Sequence, residues 1–298
     1  MQTRHHLSVL IHEQAKKYGS RGALTFRSFG SLKWKTVSWK QFSLRVKQVS
    51  NALVDFGLKP QEKIGVFAQN CIQYLYTDFG AYGVRAVSIP FYATSSEQQI
   101  QYIINNAQIR FLFVGEQDQY NKAHRIFSLC PTLERIIIFD HSVRVSSYDP
   151  NAIYFEDFIR IGENLLHQTE VEKRWADAND EDICNILYTS GTTGVSKGVV
   201  LTYGQYDAAM EANGRCVPIG EEDRVVSFLP ITHIFERGWM YLCLTAGAHI
   251  IINTYPKEIQ QTMREVKPTA MSAVPRFWEK VYVAVKERID SALSLIHI

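Results

Sequence analysis

The sequence predicts an α/β fold with mostly parallel sheets, and two observations carry the prediction. Between residues 63 and 139 apolar runs of strand length alternate with segments of helical period. Strands alternating with helices in this way imply a parallel sheet covered on both faces, with right-handed crossovers. The composition, 46% hydrophobic and 21% charged over 298 residues, is that of a globular protein able to bury a large core.

The elements follow in order. Ser38-Trp39-Lys40-Gln41 has the spacing of a capping box, and Phe42, Val46, Val49 and Leu53 recur at helical intervals behind it. Gly57 stands where a helix C-cap belongs, with Pro60 just beyond. Residues 64–68 read as a buried strand, followed by a helix to about Tyr82 and a strand at 86–89. A helix over 96–106 precedes a strand at 111–114, and a helix near His124 leads to a strand at 135–139. Residues 142–180 are more polar, with Asp149-Pro150 as a turn and a charged patch over 170–174, and predict a loop-and-helix connection. A strand at 183–188, a helix over 205–213, strands at 224–228 and 249–252, a helix over 257–266 and a helix beginning after Pro275 complete the pattern.

Charge and cysteine content narrow the function. With 32 basic and 30 acidic side chains the net charge is +2, which gives no electrostatic footprint for nucleic acid or an anionic membrane. The five cysteines, Cys71, Cys130, Cys184, Cys216 and Cys243, are odd in number and form no C-x-x-C pair, so neither a disulfide framework nor a zinc site is expected. Reduced thiols in a cytoplasmic protein are the expectation. No apolar h-region follows Met1, so no signal peptide is expected, and no apolar run approaches the roughly 18 residues of a membrane span. His12-Glu13 does not complete H-E-x-x-H, and no residue is assigned to a metal.

The most informative segment is Tyr188-Thr189-Ser190-Gly191-Thr192-Thr193-Gly194-Val195-Ser196-Lys197-Gly198. An apolar strand runs into a stretch of Thr, Ser and Gly with one lysine. Glycines let the backbone approach a ligand, and successive N–H groups can form an anion nest. Hydroxyls add donors, and Lys197 adds a point charge. Hydrogen bonds to charged groups contribute about 1.5–3 kcal/mol each, so a few hold a triphosphate. The spacing is not that of a Walker A loop, G-x-x-x-x-G-K-S/T. On residue chemistry alone a flexible Ser/Thr/Gly linker stays open, although such linkers rarely follow a buried strand directly.

This segment resembles, residue for residue, the signature loop of the adenylate-forming superfamily (acyl-CoA synthetases, luciferases, peptide-synthetase adenylation domains), Y/F-T/S-S-G-S/T-T-G-x-P-K-G. Ser196 departs from the usual proline and leaves the donors intact. A second motif is Leu229-Pro230-Ile231-Thr232-His233-Ile234-Phe235-Glu236-Arg237. Taken alone, His233 reads more readily as a structural histidine. In its L-P-x-x-H-x-F-E-R context it looks like the long-chain acyl-CoA synthetases. Val274-Pro275-Arg276-Phe277-Trp278-Glu279-Lys280 resembles the V-P-R-x-x-E-K segment of the same branch, though an ordinary helix start would also account for it. The family's Leu-Thr-His segment reads Leu201-Thr202-Tyr203 here, and no role is carried onto Tyr203.

The resemblance implies the large N-terminal domain of the adenylate-forming fold, truncated, as two stacked α/β subdomains without the small C-terminal domain. Residues 59–214 would form one subdomain, ending in the phosphate loop, and 1–58 with 215–292 an incomplete second. It implies ATP-dependent activation of a long-chain fatty acid to an acyl-adenylate and then an acyl-CoA. Thr189, Ser190, Gly191, Thr192, Thr193, Gly194 and Lys197 would hold the phosphates, and His233 would lie on the carboxylate side, with His233 and Lys197 catalytic. ATP, magnesium (Mg2+) and coenzyme A are the implied cofactors and co-substrates, with no nucleic-acid partner. A peripheral membrane contact fits a long-chain substrate, although no amphipathic basic helix stands out. The family's Y-G-x-T-E and Y-x-T-G-D motifs are not found, so the magnesium, adenine and ribose ligands are expected beyond this chain, and the chain alone is expected to be inactive. An aryl, short-chain or amino acid substrate, or a non-catalytic nucleotide-binding relic, are the other readings.

The last six residues, 293–298, coincide with one reading frame of a widely used transposase adapter and are expected to be non-native. Sequencing the gene across the codons for Leu293 to Ile298, from a library made without such adapters, is expected to show a different sequence. Genomic codons for all six would refute this.

Overall fold

The computed structural model describes residues 6–147, 149–189 and 196–296, with side chains as far as Ser291. It opens with α1 (Leu10–Tyr18), an antiparallel pair β1 (Gly22–Arg27) and β2 (Trp34–Ser38), and α2 (Trp39–Asp55). The alternation follows: β3 (Lys63–Phe67), α3 (Ile72–Gly83), β4 (Val87–Phe91), α4 (Glu97–Ala107), β5 (Ile109–Val114), α5 (Gln117–Ile126) and β6 (Arg135–Ile138). A short β7 (Ala152–Tyr154), α6 (Phe155–Ile161) and α7 (Gln168–Asp177) lead into the hairpin of β8 (Ile183–Thr189) and β9 (Lys197–Thr202), then α8 (Tyr203–Gly214). The remainder is β10 (Arg224–Ser227), α9 (Ile234–Ala246), β11 (His249–Ile252), α10 (Ile259–Val266), β12 (Ala270–Met271) and α11 (Pro275–Ile296).

The α/β fold class holds. Seven strands form one sheet in the order β7-β6-β5-β3-β4-β8-β9, parallel except for the β8–β9 pair. Five form a second sheet, β12-β10-β11-β1-β2, parallel except for β1–β2. The second sheet draws on both ends of the sequence, because β1 pairs with β11.

Side-chain alternation builds the layers. In β5, Phe111 and Phe113 enter the core that also holds Leu24, Ile250 and Ile252 of the five-stranded sheet. Leu112 and Val114 point the other way, onto Ile100 and Ile104 of α4 and Tyr120 and Ala123 of α5. In β11, Ile251 leaves the shared core and packs with Val226 and with Val266 of α10. The shared core therefore lies between the sheets, filled by α1, α2, α3, α8 and α9. Among the described residues no helix is long and apolar enough to cross a membrane.

Local sequence signals set the helix starts. Ser38 caps α2 with Gln41, and Ser96 caps α4 with Gln99, each as a reciprocal capping box. Gly57 closes the α2 end at φ +72°. One expectation is corrected, over 142–180, and the other two differences are elements that the sequence left unassigned. The N-terminal α1 and the β1–β2 hairpin carry no periodic signal long enough to read, β2 being largely solvent-facing. The connection over 142–180 contains a sheet strand, β7, of only three residues. Helix α9 starts inside the second motif, where the motif itself masks the helical pattern.

Helices α2 and α3 are in close contact at Gly80. A Cβ added at Gly80 would lie 2.3 Å from Val49 Cγ1, and Ser50 Oγ donates to the Gly80 carbonyl at 2.9 Å. Gly80→Ala is expected to destabilise the protein by roughly 1–3 kcal/mol through overpacking, read as a lower denaturant midpoint. Gly238→Ala, in α9 with open space at its Cβ, is expected to be neutral or to stabilise by about 0.5–1 kcal/mol. Equal effects of the two would refute the packing argument.

Candidate functional site

The two motifs converge at the carboxyl ends of the seven-stranded sheet. β8 is in register with β4 at Asn185 and Ser88, and it pairs with β9 from Ile183 opposite Thr202 to Thr189 opposite Lys197. Thr189 and Lys197 are thus the two exposed posts of the hairpin. Ser190, Gly191, Thr192, Thr193 and Gly194 lie outside the described residues. Helix α4 braces the hairpin near its tip. Tyr102 Oη donates to the Ser196 carbonyl at 3.1 Å, Tyr188 Oη donates to Asn106 Oδ1 at 2.5 Å, and the two tyrosine rings meet edge to face. Gly198 leaves room for this packing, since a Cβ there would lie 2.7 Å from Ile186 Cγ2 and 3.2 Å from Tyr188 Cζ.

The second motif leaves β10 of the other sheet and is stitched across to the same edge. Asn70, just past β3, donates through Nδ2 to the Leu229 carbonyl at 2.7 Å and accepts from the Ile231 N–H at 3.1 Å. Thr232 Oγ1 donates to the Phe91 carbonyl at the end of β4, 3.2 Å away. Since β4 adjoins β8, the segment carrying His233 sits one strand away from Thr189. A further bridge joins the sheets where Tyr255 Oη donates to Glu116 Oε1 at 2.7 Å. His233 is the exposed N-cap of α9, its Nδ1 accepting from the Phe235 N–H at 3.2 Å.

Glu236 and Arg237 are fully buried. Arg237 donates through Nη1 to Asp78 Oδ2 at 2.6 Å and to Tyr241 Oη at 2.8 Å, through Nη2 to Tyr74 Oη at 3.2 Å, and through Nε to the Ile231 carbonyl at 3.1 Å. Burial opposes its charge, but Asp78 together with Tyr241, Tyr82 and Tyr74 outweighs that, so Arg237 is held protonated well above the usual range. Arg237 Nη1 also reaches Tyr82 Oη, which hydrogen-bonds to Asn185 Oδ1 on β8 at 3.2 Å. One buried network therefore touches the second motif, α3 and the strand β8 that ends at Thr189. Glu236 accepts from Ser272 Oγ at 3.0 Å through Oε2, and burial pushes its carboxyl up to about 7.

Beside His233 opens a pocket of about 670 Å³ between α8, α9 and the start of α11. Its lining is mainly apolar: Leu201, Tyr206, Met210, Trp239, Leu242 and Trp278 among others, with Ile234 and Phe235 next to His233. The size and lining are those of a small-molecule site.

Sequence reasoning placed weight on His233 and Lys197 but did not single out Asn70, Asp78 or a structural duty for Arg237. Asp78 had a readable signal, a lone carboxylate inside the apolar run of α3, which requires a buried partner. Asn70 had none, because its role depends on a loop 159 residues away.

Comparison with known proteins gives a consistent result. The family model described as AMP-binding enzyme matches residues 11–296. The long-chain-fatty-acid–CoA ligase ACSBG2 of Xenopus laevis is 26% identical over 285 residues, covering 93% of this chain and 38% of that protein. Fatty acyl-CoA synthetase A of Dictyostelium discoideum is 28% identical over 281 residues, covering 89% and 39%. The anthranilate CoA ligase AuaEII, solved with anthranoyl-AMP, superposes with a TM-score of 0.79 at 21% identity, covering 91% of this chain and 50% of that one. The long-chain-fatty-acid-CoA ligase FadD1 of Archaeoglobus fulgidus superposes with a TM-score of 0.73 at 19% identity, covering 89% and 50%. The chain thus spans about two-fifths of the length of these curated relatives.

Glu236 yields a pH-dependent prediction. Its folded pKa of about 7 lies above the unfolded value of 4.5, so the stability contributed by the protonated carboxyl is present below 4.5 and lost as pH rises toward 7. Across that window the native protein is expected to lose roughly 3 kcal/mol relative to Glu236→Gln, measured by denaturant unfolding. A difference that stays flat with pH would refute the burial argument.

Proposed function

The chain belongs to the AMP-binding enzyme family, and from that premise we propose that it serves ATP-dependent activation of a long-chain fatty acid to an acyl-adenylate and then to acyl-CoA. The observation that carries this reading is the apolar pocket opening beside His233, at the edge where the phosphate hairpin begins. A carboxylate held near His233 would lay an alkyl chain between α8 and α9. Lys197 and Thr189, with Ser190, Gly191, Thr192, Thr193 and Gly194, would gather the phosphates at the hairpin tip.

In the first step a carboxylate oxygen attacks the α-phosphorus of ATP and pyrophosphate leaves. In the second, the thiolate of coenzyme A displaces AMP. Lys197 contributes positive charge against the pyrophosphate oxygens as they gain charge, which is worth most when the charge is preorganised. Magnesium supplies further charge neutralisation when bound. Among the described residues no set of three His, Cys, Asp or Glu side chains is gathered to hold it.

Trp239 and Trp278 line the pocket, so tryptophan emission reports its occupancy. A long-chain fatty acid is expected to change the emission saturably, and Leu242→Trp to weaken binding about tenfold by filling the pocket. Binding of an aryl, short-chain or amino acid instead would change the substrate class. In a protein of the relatives' length that carries this chain, Lys197→Ala is expected to lower ATP–pyrophosphate exchange by about 100-fold. Unchanged exchange would remove Lys197 from the site, and ATP binding with no exchange for any acid would favour a non-catalytic nucleotide binder.

A further inference from the structure

We propose that Arg237 is a positioning residue that fixes His233 as its Nε2–H tautomer, so that the ring acts as a hydrogen-bond donor to substrate oxygen and not as a base. The inference rests on the reading of His233 as the residue beside the substrate carboxylate, but its test reads the ring itself.

The tautomer follows from the cap. His233 Nδ1 accepts the Phe235 N–H at 3.2 Å. A neutral imidazole carries one N–H, and the accepting nitrogen is the bare one. The proton is therefore on Nε2, on a ring that is exposed at the carboxyl edge of the sheets. For Nε2 to accept a proton from substrate, the neutral ring would have to shift its own proton to Nδ1 and give up the cap.

The cap exists because the backbone in front of it cannot move. Asn70 grips Leu229 and Ile231, and Thr232 is tied to the Phe91 carbonyl. Arg237 supplies the last hold, donating through Nε to the Ile231 carbonyl at 3.1 Å while its own N–H bonds the His233 carbonyl at 3.1 Å. Its guanidinium plane has no freedom to turn, because Nη1 is pinned to Asp78 and Tyr241 and Nη2 to Tyr74. Asp78 is itself held by Ser88 Oγ at 2.6 Å. His233 thus lies between two points, Ile231 and the first turn of α9, that one rigid side chain holds together.

The chemistry agrees with a donor. A fatty acid is ionised at neutral pH, so its oxygen attacks phosphorus as it stands. The O–P bond forms, the P–O bond to pyrophosphate breaks, and no proton changes hands. A base has nothing to remove, whereas an N–H directed at the second carboxylate oxygen orients the nucleophile.

Long-range proton–nitrogen NMR of the histidine rings, at about pH 8 where neutral imidazole dominates, reads the tautomer directly. The His233 signals are assigned by their loss in His233→Gln. The native protein is expected to show a bare Nδ1 and a protonated Nε2. Arg237→Lys keeps a cation for Asp78 but lacks the Nε donor. It is expected to give a mixture of tautomers and about tenfold faster amide exchange at Phe235, with exchange in β3 and β5 unchanged. Where Arg237→Lys fails to fold, Arg237→Met combined with Asp78→Asn removes both charges and tests the same loss. A protonated Nδ1 in the native protein overturns the proposal whatever the variants do. A native tautomer and native Phe235 exchange in a folded Arg237 variant reduces Arg237 to a purely structural residue. A fatty acid that leaves the Nε2–H resonance unmoved would count against the substrate reading while leaving the tautomer result intact.

Discussion

A single buried ion pair, Arg237 with Asp78, governs how the two sheets meet. Asp78 sits on α3, which connects two strands of the seven-stranded sheet, and Arg237 sits on α9, which connects two strands of the five-stranded one. Both side chains are fully shielded from solvent. Such a pair adds little net stability, because removing two ions from water costs about as much as their attraction returns. Its effect is on the alternatives: any slip of α9 against α3 strands a charge in a low-dielectric core, at a cost of roughly 3–5 kcal/mol. The geometry of the second motif inherits that intolerance.

The site arises from a simple property of parallel sheets. Strands that run the same way deliver their carboxyl ends to one edge, where the loops have room to differ. Here two sheets bring their edges together. Asn70 and Phe91 from one, and the segment from Leu229 to His233 from the other, are joined by hydrogen bonds to backbone and not by side-chain packing alone. Backbone partners tolerate little drift, so the segment that carries His233 is held closely against the end of β4.

Much of this was legible beforehand, for identifiable reasons. Strands β3 to β6 are continuous apolar runs because both faces are covered, and Ser38 and Ser96 announce their helices through capping boxes. Strand β8 could be read from its apolar run, whereas its partner β9 was not expected. What escaped notice depends on distance in the chain. β1 is a strand because β11 lies beside it, although Leu24 and Ile250 are far apart in sequence. Arg237 looked like a family marker, and only the fold reveals Tyr74, Asp78 and Tyr241 around it. Short elements such as β7 owe their existence to a neighbour, not to their own propensity.

The hairpin of β8 and β9 has a mechanical consequence. Its two strands pair along their whole length, while β8 meets β4 in register at Asn185, well below the tip. The upper part of the hairpin is then a cantilever, clamped at its root by the sheet and propped from the side by Tyr102 and Asn106 of α4. A beam of this kind bends about its root without breaking the ladder of the parallel sheet. Its stiffness depends on Tyr102 and on the Tyr188–Asn106 contact, so the placement of Thr189 and Lys197 is governed in part by side chains of α4.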